Sequence, residues 1–270
     1  MRSRNPILGR RDAFRSGRAG YGVPYPVAGQ QGVLYQPAEV PAYGAEGTAV
    51  PAAQPMTLDD VVVRTGLCIG TVFAVGAVSW IYADRAWGLI IPALIVGLIL
   101  GLTISFRAIT HPLPILAYCA CEGVALGAIS RIFEDQFKGI VPQAVIGTAG
   151  VFAAMLGLYK SGRVRATPRF VRATLGALIG VVVLMAANWI AYLFSSNGFG
   201  LRSGGGLAIV FSLVCIGVAA MTFILDFAAV EQGVHDGISE RWAWYAAFGI
   251  TVGLIWLYLE ILRLLAYLRR

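Results

Sequence analysis

Two acidic residues in the C-terminal part of the sequence stand in apolar runs long enough to cross a membrane. Glu260 lies in the run 244–263 together with Arg263, and Asp226 lies near the end of the preceding run, 206–227. A charge at the centre of a bilayer costs about 2.5 kcal/mol or more, so such residues need partners. Two carboxyls in a low-dielectric site do not both ionise cheaply, and together they can hold a proton or a divalent cation that prefers oxygen ligands. Asp226 and Glu260 are therefore the candidate proton-sensing and ion-binding residues.

Two arrangements of these residues are compatible with their spacing. Asp226 and Glu260 can meet only if the sixth span breaks near its end or the seventh begins deep inside, because Glu260 lies far into a span that starts on the Asp226 side. Alternatively, Glu260 and Arg263 are three residues apart and can form an ion pair on the helix surface without Asp226. The sequence leaves both open.

Further polar residues lie at or near membrane depth. Arg107 ends the second apolar run, Glu122 lies near the middle of the third between glycines, and Glu231 follows the sixth. Glu122 marks either a place where helices pack closely around a polar group or a protonated acid hydrogen-bonded to backbone. Glu122, Glu231 and Arg263 are secondary candidates.

The composition indicates which elements must position these residues. Hydrophobic residues make up 58% of the chain and charged residues 13%, about half the charged share of a soluble domain. This predicts an all-α integral membrane protein, and the 270 residues leave room for about seven spans and one tail. The predicted spans are 61–82, 87–106, 115–133, 141–159, 173–194, 206–227 and 244–263.

The first 56 residues are predicted to be a disordered cytoplasmic tail, and residues 57–270 a seven-span membrane domain. The tail is rich in Arg, Gly, Pro and Tyr and has no helical or strand periodicity. A partner-docking or lipid-attracted arm is the alternative for it. The arginine-rich tail, Arg107 and the basic loop 160–172 fall on one side of the membrane, which the positive-inside rule makes cytoplasmic.

Several function classes find no support in the sequence. No metalloprotease, serine hydrolase or P-loop motif occurs, and the two histidines lie in predicted loops, so we expect no enzyme and no zinc cofactor. The net charge of +7 comes largely from the tail and the loops between spans, which favours the lipid bilayer over nucleic acid as the partner. The four cysteines fall in apolar runs and are expected to pack as small residues.

Glycine pairs spaced by four residues recur in the spans and predict close helix packing. They are Gly66 and Gly70, Gly97 and Gly101, Gly123 and Gly127, Gly176 and Gly180, and Gly249 and Gly253.

From about Thr57 onwards the chain resembles the Bax inhibitor-1 superfamily, and most closely its bacterial branch. The resemblance rests on the seven short spans and on three motifs, Glu-Gly-Val-Ala-Leu-Gly-Ala-Ile-Ser at 122–130, Leu-Asp-Phe at 225–227 and Leu-Tyr-Leu-Glu-Ile-Leu-Arg-Leu-Leu at 257–265. It implies a bundle of seven transmembrane helices with the last helix central and surrounded by the other six.

The resemblance also implies roles for individual residues. Asp226 and Glu260 would form a buried pH-sensing pair that binds calcium, and Arg107 would latch onto Asp226. The implied function is a pH-sensitive calcium leak channel in a bacterial inner or plasma membrane. The alternative is a regulatory protein that binds and restrains a membrane protease or another membrane partner. The chain has Glu at position 260, where Asp is usual in the family, and this departure bears most on the choice of cation.

Overall fold

The computed structural model describes residues 54–194 and 198–269. Seven helices in it are long and apolar enough to cross a membrane. They are α1 (Leu58–Ile81), α2 (Ala83–Arg107), α3 (Pro112–Gln136), α4 (Ile140–Lys160), α5 (Pro168–Phe194), α6 (Gly206–His235) and α7 (Trp242–Leu268). In the described part of the chain the only strand-like pairing is a single bridge between Pro55 and Ser239. The predicted all-α, seven-span architecture is confirmed, whereas most of the predicted tail lies outside the described residues.

Local signals fix where two of the helices begin. Thr57 and Asp60 form a reciprocal capping box at the start of α1, as their positions ahead of an apolar run predict. His111 caps α3, and Pro112 occupies its first turn. A proline is compatible with that position because the first amides of a helix have no acceptor within the helix.

The last two helices are longer than the apolar runs indicate. The sixth span is predicted to end near residue 227, but α6 continues for two more turns to His235 and includes Glu231. Helix α7 runs on to Leu268. Asp226 and Glu260 therefore each lie inside an unbroken helix, and no break in α6 brings Asp226 towards Glu260.

Burial divides the helices into an inner and an outer set. In α3, α6 and α7, 50% of the most apolar 18-residue window is buried, against at most 17% in the other four helices. Helix α7 packs against α1, α3, α4 and α6. Helix α2 packs mainly on α3, and helix α5 packs mainly on α6. The last helix is therefore central, as expected, but it shares the core with α3 and α6.

Helices α1 and α3 approach each other closely at glycine residues. A Cβ atom on Gly127 would lie 2.2 Å from the carbonyl oxygen of Gly76, and one on Gly123 would lie 2.9 Å from that of Val72. Only glycine permits this approach of the two backbones. The predicted role of the Gly123 and Gly127 pair is confirmed.

The other glycine pairs divide into two groups. Gly97 and Gly101 face α3, and Gly249 and Gly253 face α6, each with a neighbouring side chain within 4 Å of a built Cβ. The pairs in α1 and α5, Gly66 with Gly70 and Gly176 with Gly180, have nothing within 4 Å. For these two pairs the prediction of close packing is wrong, because spacing alone does not specify which face of a helix meets a neighbour.

The antiparallel order gives the bundle two ends. The N-terminal end holds the start of α1 and the α2–α3, α4–α5 and α6–α7 connections. The C-terminal end holds the other three connections and the end of α7. At the N-terminal end the amide of Met56 donates to the carbonyl of Ile238 (2.7 Å), and the amide of Glu240 donates to that of Gln54 (2.8 Å). The residues before α1 are thus paired to the α6–α7 connection.

Candidate functional site at the interface of the last two helices

Asp226 faces α7 at a glycine. A Cβ atom on Gly249 would lie 3.7 Å from Oδ1 of Asp226, and the Asp226 side chain is half-buried. Within the described ranges, no side chain donates a hydrogen bond to this carboxyl or pairs with it. Asp226 is therefore an acid at membrane depth without a cationic partner.

Glu260 has a different environment. It is 2% exposed, and its Oε1 lies 2.8 Å from Nη1 of Arg263 and 3.2 Å from Nη2 of Arg202. Its second oxygen, Oε2, is buried without a hydrogen-bond partner. Two guanidiniums thus converge on a single carboxylate oxygen, and we call these three residues the Glu260 cluster.

Arg202 is the member of this cluster that sequence reasoning missed. It belongs to the α5–α6 connection, and its side chain, 31% exposed, turns inward to Glu260 on α7. Burial, and then the neighbouring Arg263 guanidinium, lower the pKa of Arg202 below its usual value, while Glu260 opposes this shift. The only sequence signal is that Arg202 is the sole basic residue in the Ser- and Gly-rich stretch 195–205.

The two acids do not meet in this structure. Gly249, which marks the position of Asp226 on α7, comes eleven residues before Glu260, or about 16 Å along the axis at about 1.5 Å per residue. Two carboxylates that share a calcium ion both lie about 2.3–2.6 Å from it, so Asp226 and Glu260 do not hold one ion together here. The direct pair that the resemblance implies is thus absent from this arrangement, in keeping with the depth mismatch in the sequence.

A phenylalanine occupies the interface between the two acids. Phe223 is fully buried, and a Cβ on Gly253, one turn after Gly249, would lie 3.0 Å from Cε1 of its ring. Phe152 of α4 packs edge-on against the same ring, with centroids 5.2 Å apart. The α6–α7 interface is therefore closed by aromatic packing between the levels of Asp226 and Glu260.

The alternative arrangement, an ion pair between Glu260 and Arg263, is present in a modified form. The two side chains are in contact, but Glu260 is buried, so the pair lies at a helix interface rather than on the lipid surface. Arg202, which belongs to the α5–α6 connection, also pairs with the Glu260 carboxylate. The ion pair therefore lies where this connection meets α7.

The remaining candidates are dispersed over the bundle. Arg107 is exposed at the end of α2 and, in the described part of the chain, forms no ion pair, so the latch onto Asp226 is not formed here. Glu122 is half-buried with Oε1 3.3 Å from a Cβ built on Gly97, at the α2–α3 contact. Glu231 is exposed and accepts a hydrogen bond from the hydroxyl of Tyr159.

No ready-made metal centre accompanies these acids. Among the residues that the structure describes, no three His, Cys, Asp or Glu side chains are close enough to hold one ion. The four cysteines, all described, are unpaired thiols.

A separate cavity of about 700 Å³ lies among α1, α3, α4 and α7. Its lining is almost entirely apolar apart from Glu134 and the hydroxyl groups of Thr148, Thr251, Ser130 and Tyr258. The last two are hydrogen-bonded to each other at 2.6 Å. Neither Asp226 nor Glu260 lines this cavity, so it is distinct from the α6–α7 interface.

Comparison with known proteins identifies the family. A family model described as Bax inhibitor 1 like matches residues 5–270, a longer stretch than the motifs alone indicate. A search of curated proteins gave no match. Together with the seven apolar helices, the family match establishes a multi-pass membrane protein. The chain belongs to the Bax inhibitor 1 like family.

Proposed function

We propose that the protein is a pH-sensitive cation leak, with calcium as the candidate cation and the α6–α7 interface as the path. The observation that carries this proposal is that two acids lie on one helix interface at membrane depth, at different levels and with different partners. Ionisable residues inside a membrane bundle mark ion and proton pathways because they are too costly to keep for packing alone. Carboxylate oxygens are the ligands that calcium prefers.

The partners of the two acids assign them different tasks. No guanidinium of the described residues lies beside Asp226, so in the proposal its carboxyl is available to a proton or to a cation. Glu260 is engaged by Arg202 and Arg263, so its charge holds the α5–α6 connection against α7. In the proposal Asp226 is the proton-sensing and cation-binding residue, and the Glu260 cluster is an ionic lock at the C-terminal end of the bundle.

The closed state follows from the packing between these levels. The Phe223 ring against Gly253 fills the interface between the levels of Asp226 and Glu260 with apolar side-chain packing. Opening requires α6 and α7 to move apart at this contact, which release of the ionic lock permits. The latch from Arg107 to Asp226 stays a prediction for a second conformation, and a cytoplasmic N-terminus in a bacterial inner or plasma membrane is part of the same proposal.

Calcium flux into liposomes tests the proposal. Purified protein is reconstituted with a calcium-sensitive dye inside the vesicles, and flux is measured between about pH 6 and pH 8. We expect flux to fall as the pH is lowered, because a proton on Asp226 removes the charge that attracts the cation. Asp226→Asn should lower flux at every pH and flatten its pH dependence. Glu260→Gln should raise flux at every pH, because the lock is broken.

The matched control is Asp59→Asn, which removes an exposed acid from the N-terminal end of the bundle by the same chemical change. Its flux and pH profile should equal those of the unmodified protein. Absence of calcium flux at all pH values, in protein whose folding is verified by size-exclusion chromatography, would falsify the proposed leak. The regulatory-partner alternative would then be tested by recovering membrane proteins that bind the full chain.

A further inference from the structure

The charges of the Glu260 cluster do not balance. Arg202 and Arg263 together carry two positive charges, and the carboxylate between them carries one negative charge. Both guanidiniums use the same oxygen, Oε1, and Arg202 also contacts the sulfur of Met185, 3.4 Å away. In the described part of the chain no second acid reaches either arginine within 4 Å. Among the described residues, one positive charge of the cluster therefore has no carboxylate partner.

The two arginines line a cavity. A space of about 280 Å³ lies at the C-terminal end of the bundle next to the cluster. Its lining includes Arg202, Arg263 and Gln136 together with the aromatic side chains of Phe133, Phe137 and Tyr267. One water occupies about 30 Å³, so the cavity has room for a tetrahedral oxyanion and part of a group attached to it. The two arginines and Gln136 supply hydrogen-bond donors to the lining, and apolar and aromatic side chains supply the rest of the wall.

We propose that Arg202 and Arg263 form a binding site for a phosphate group in this cavity. A guanidinium presents a rigid planar fork of donors that matches phosphate oxygens, so two of them bind a phosphate far better than single surface charges do. Glu260 keeps the two arginines together in the absence of the ligand, and the phosphate supplies the negative charge that the cluster lacks. The phosphate is either a soluble ion or a lipid headgroup, because the cavity lies where helix α7 reaches its end.

This site goes beyond the proposed cation leak and does not depend on it. Phosphate binding is measured without ion flux, so absence of a cation leak would not contradict the phosphate site. Absence of phosphate binding would likewise not contradict the cation leak. If both are present, a bound phosphate competes with Glu260 for the two guanidiniums.

The first experiment measures soluble phosphate. The full chain is purified in a maltoside detergent, which carries no phosphate, and inorganic phosphate is titrated by isothermal calorimetry. Arg202→Gln and Arg263→Gln should each weaken binding by about tenfold, the value of one charge-assisted hydrogen bond of about 1.5 kcal/mol. The matched control is Arg269→Gln at the same end, where the guanidinium binds the Lys138 carbonyl and Gln143 and does not line the cavity. It should leave phosphate affinity unchanged.

Glu260→Gln separates a binding role from a structural role of the arginines. If the arginines serve only to neutralise Glu260, the unmodified protein binds no phosphate, and binding appears only when this change frees the two guanidiniums. If they form the proposed site, the loss of the competing carboxylate charge should tighten phosphate binding by about tenfold. Arg202→Gln remains informative if the Glu260 variant fails to fold, because Arg263 still pairs with Glu260 in it.

The second experiment distinguishes the source of the phosphate. The same proteins are supplied with phosphatidylglycerol or with diacylglycerol, which has the same chains without phosphate, and retained lipid is counted by native mass spectrometry. Selective retention of phosphatidylglycerol, lost in Arg202→Gln but not in Arg269→Gln, identifies a lipid headgroup. Calorimetric binding of inorganic phosphate without lipid retention identifies a soluble ion. The proposal is overturned if neither ligand binds, or if both arginine variants bind as well as the control.

Discussion

Nη2 of Arg202 lies 3.2 Å from Oε1 of Glu260, although 58 residues separate them in the chain. This contact fastens the α5–α6 connection to the central helix at the C-terminal end of the bundle. Helix α5 otherwise packs mainly on α6, so the contact adds a second attachment for the outer part of the fold. Its removal should be visible in stability as well as in flux.

Replacement of Glu260 by glutamine should lower the thermal stability of the protein. Breaking a fully buried ion pair costs about 3–5 kcal/mol, and the partial exposure of both arginines reduces the expected loss here to about 2 kcal/mol. For a chain of this size that corresponds to a melting temperature lower by roughly 4–8 °C in detergent. The control is Glu231→Gln, the same change at an exposed acid, with an expected effect of about 0.5 kcal/mol or less. Equal melting temperatures for the two variants would contradict a stabilising role of the cluster.

Replacement of Gly127 by alanine should separate α1 from α3. The new methyl group would lie 2.2 Å from a backbone oxygen of Gly76, which cannot be relieved by a side-chain rotation. We expect a loss of about 3 kcal/mol, measured by thermal unfolding in detergent. Gly180→Ala on α5 is the control, because nothing lies within 4 Å of its Cβ and alanine favours helix by about 1 kcal/mol over glycine. If both variants are equally stable, the tight contact between α1 and α3 does not exist in the protein.

Replacement of Phe223 by leucine should increase the proposed calcium leak. The smaller side chain no longer fills the space against Gly253, where the interface is closed between the two acids. Phe227→Leu makes the same change about one turn away in the same aromatic cluster, without that contact. Both should lose a similar stability, about 1–1.5 kcal/mol, whereas only the Phe223 variant should leak faster in the liposome assay. Equal flux from the Phe223 and Phe227 variants would show that the contact between Phe223 and Gly253 does not close the cation path.

Replacement of Arg64 by glutamine should loosen the N-terminal end of the bundle. Its guanidinium binds both the side chain and the carbonyl of Glu240 and lies 5.6 Å from the ring centroid of Trp244. The expected loss is about 1.5 kcal/mol, and the segment around residue 240 should exchange its amide hydrogens faster, as measured by hydrogen–deuterium exchange mass spectrometry. Arg241→Gln, at an exposed neighbouring base, should change neither quantity. Unchanged exchange in the Arg64 variant would show that the contact does not hold this connection.

The sequence was sufficient to predict the number and approximate position of the helices, because membrane spans are set by length and apolar composition. The extra turns of α6 and α7 were not predicted. In α6, Glu231 and His235 are polar residues typical of a loop, but they continue the helix beyond the apolar run. Glu260 was identified as a buried acid from the same apolar pattern. Its partner Arg202 was not, because contacts between distant segments leave no local spacing to recognise.

The glycine pairs show the same limit at the level of helix faces. All five have identical spacing, but only those whose face meets a neighbour pack closely, and the face is decided by the tertiary arrangement. The family resemblance adds residue roles that spacing cannot give. Asp226 and Glu260 lie at levels about 16 Å apart along α7, so the direct pair that the resemblance implies is not formed in this structure.

The backbone pairing of Gln54 and Met56 with the α6–α7 connection has a mechanical consequence. Two hydrogen bonds, which together form the bridge between Pro55 and Ser239, join the first described residues to the turn between the helices that hold the two acids. A pull on the chain upstream of Gln54 is therefore transmitted to that turn before it reaches α1. A partner that binds the N-terminal region can therefore exert force on the helix pair through which we propose cations pass.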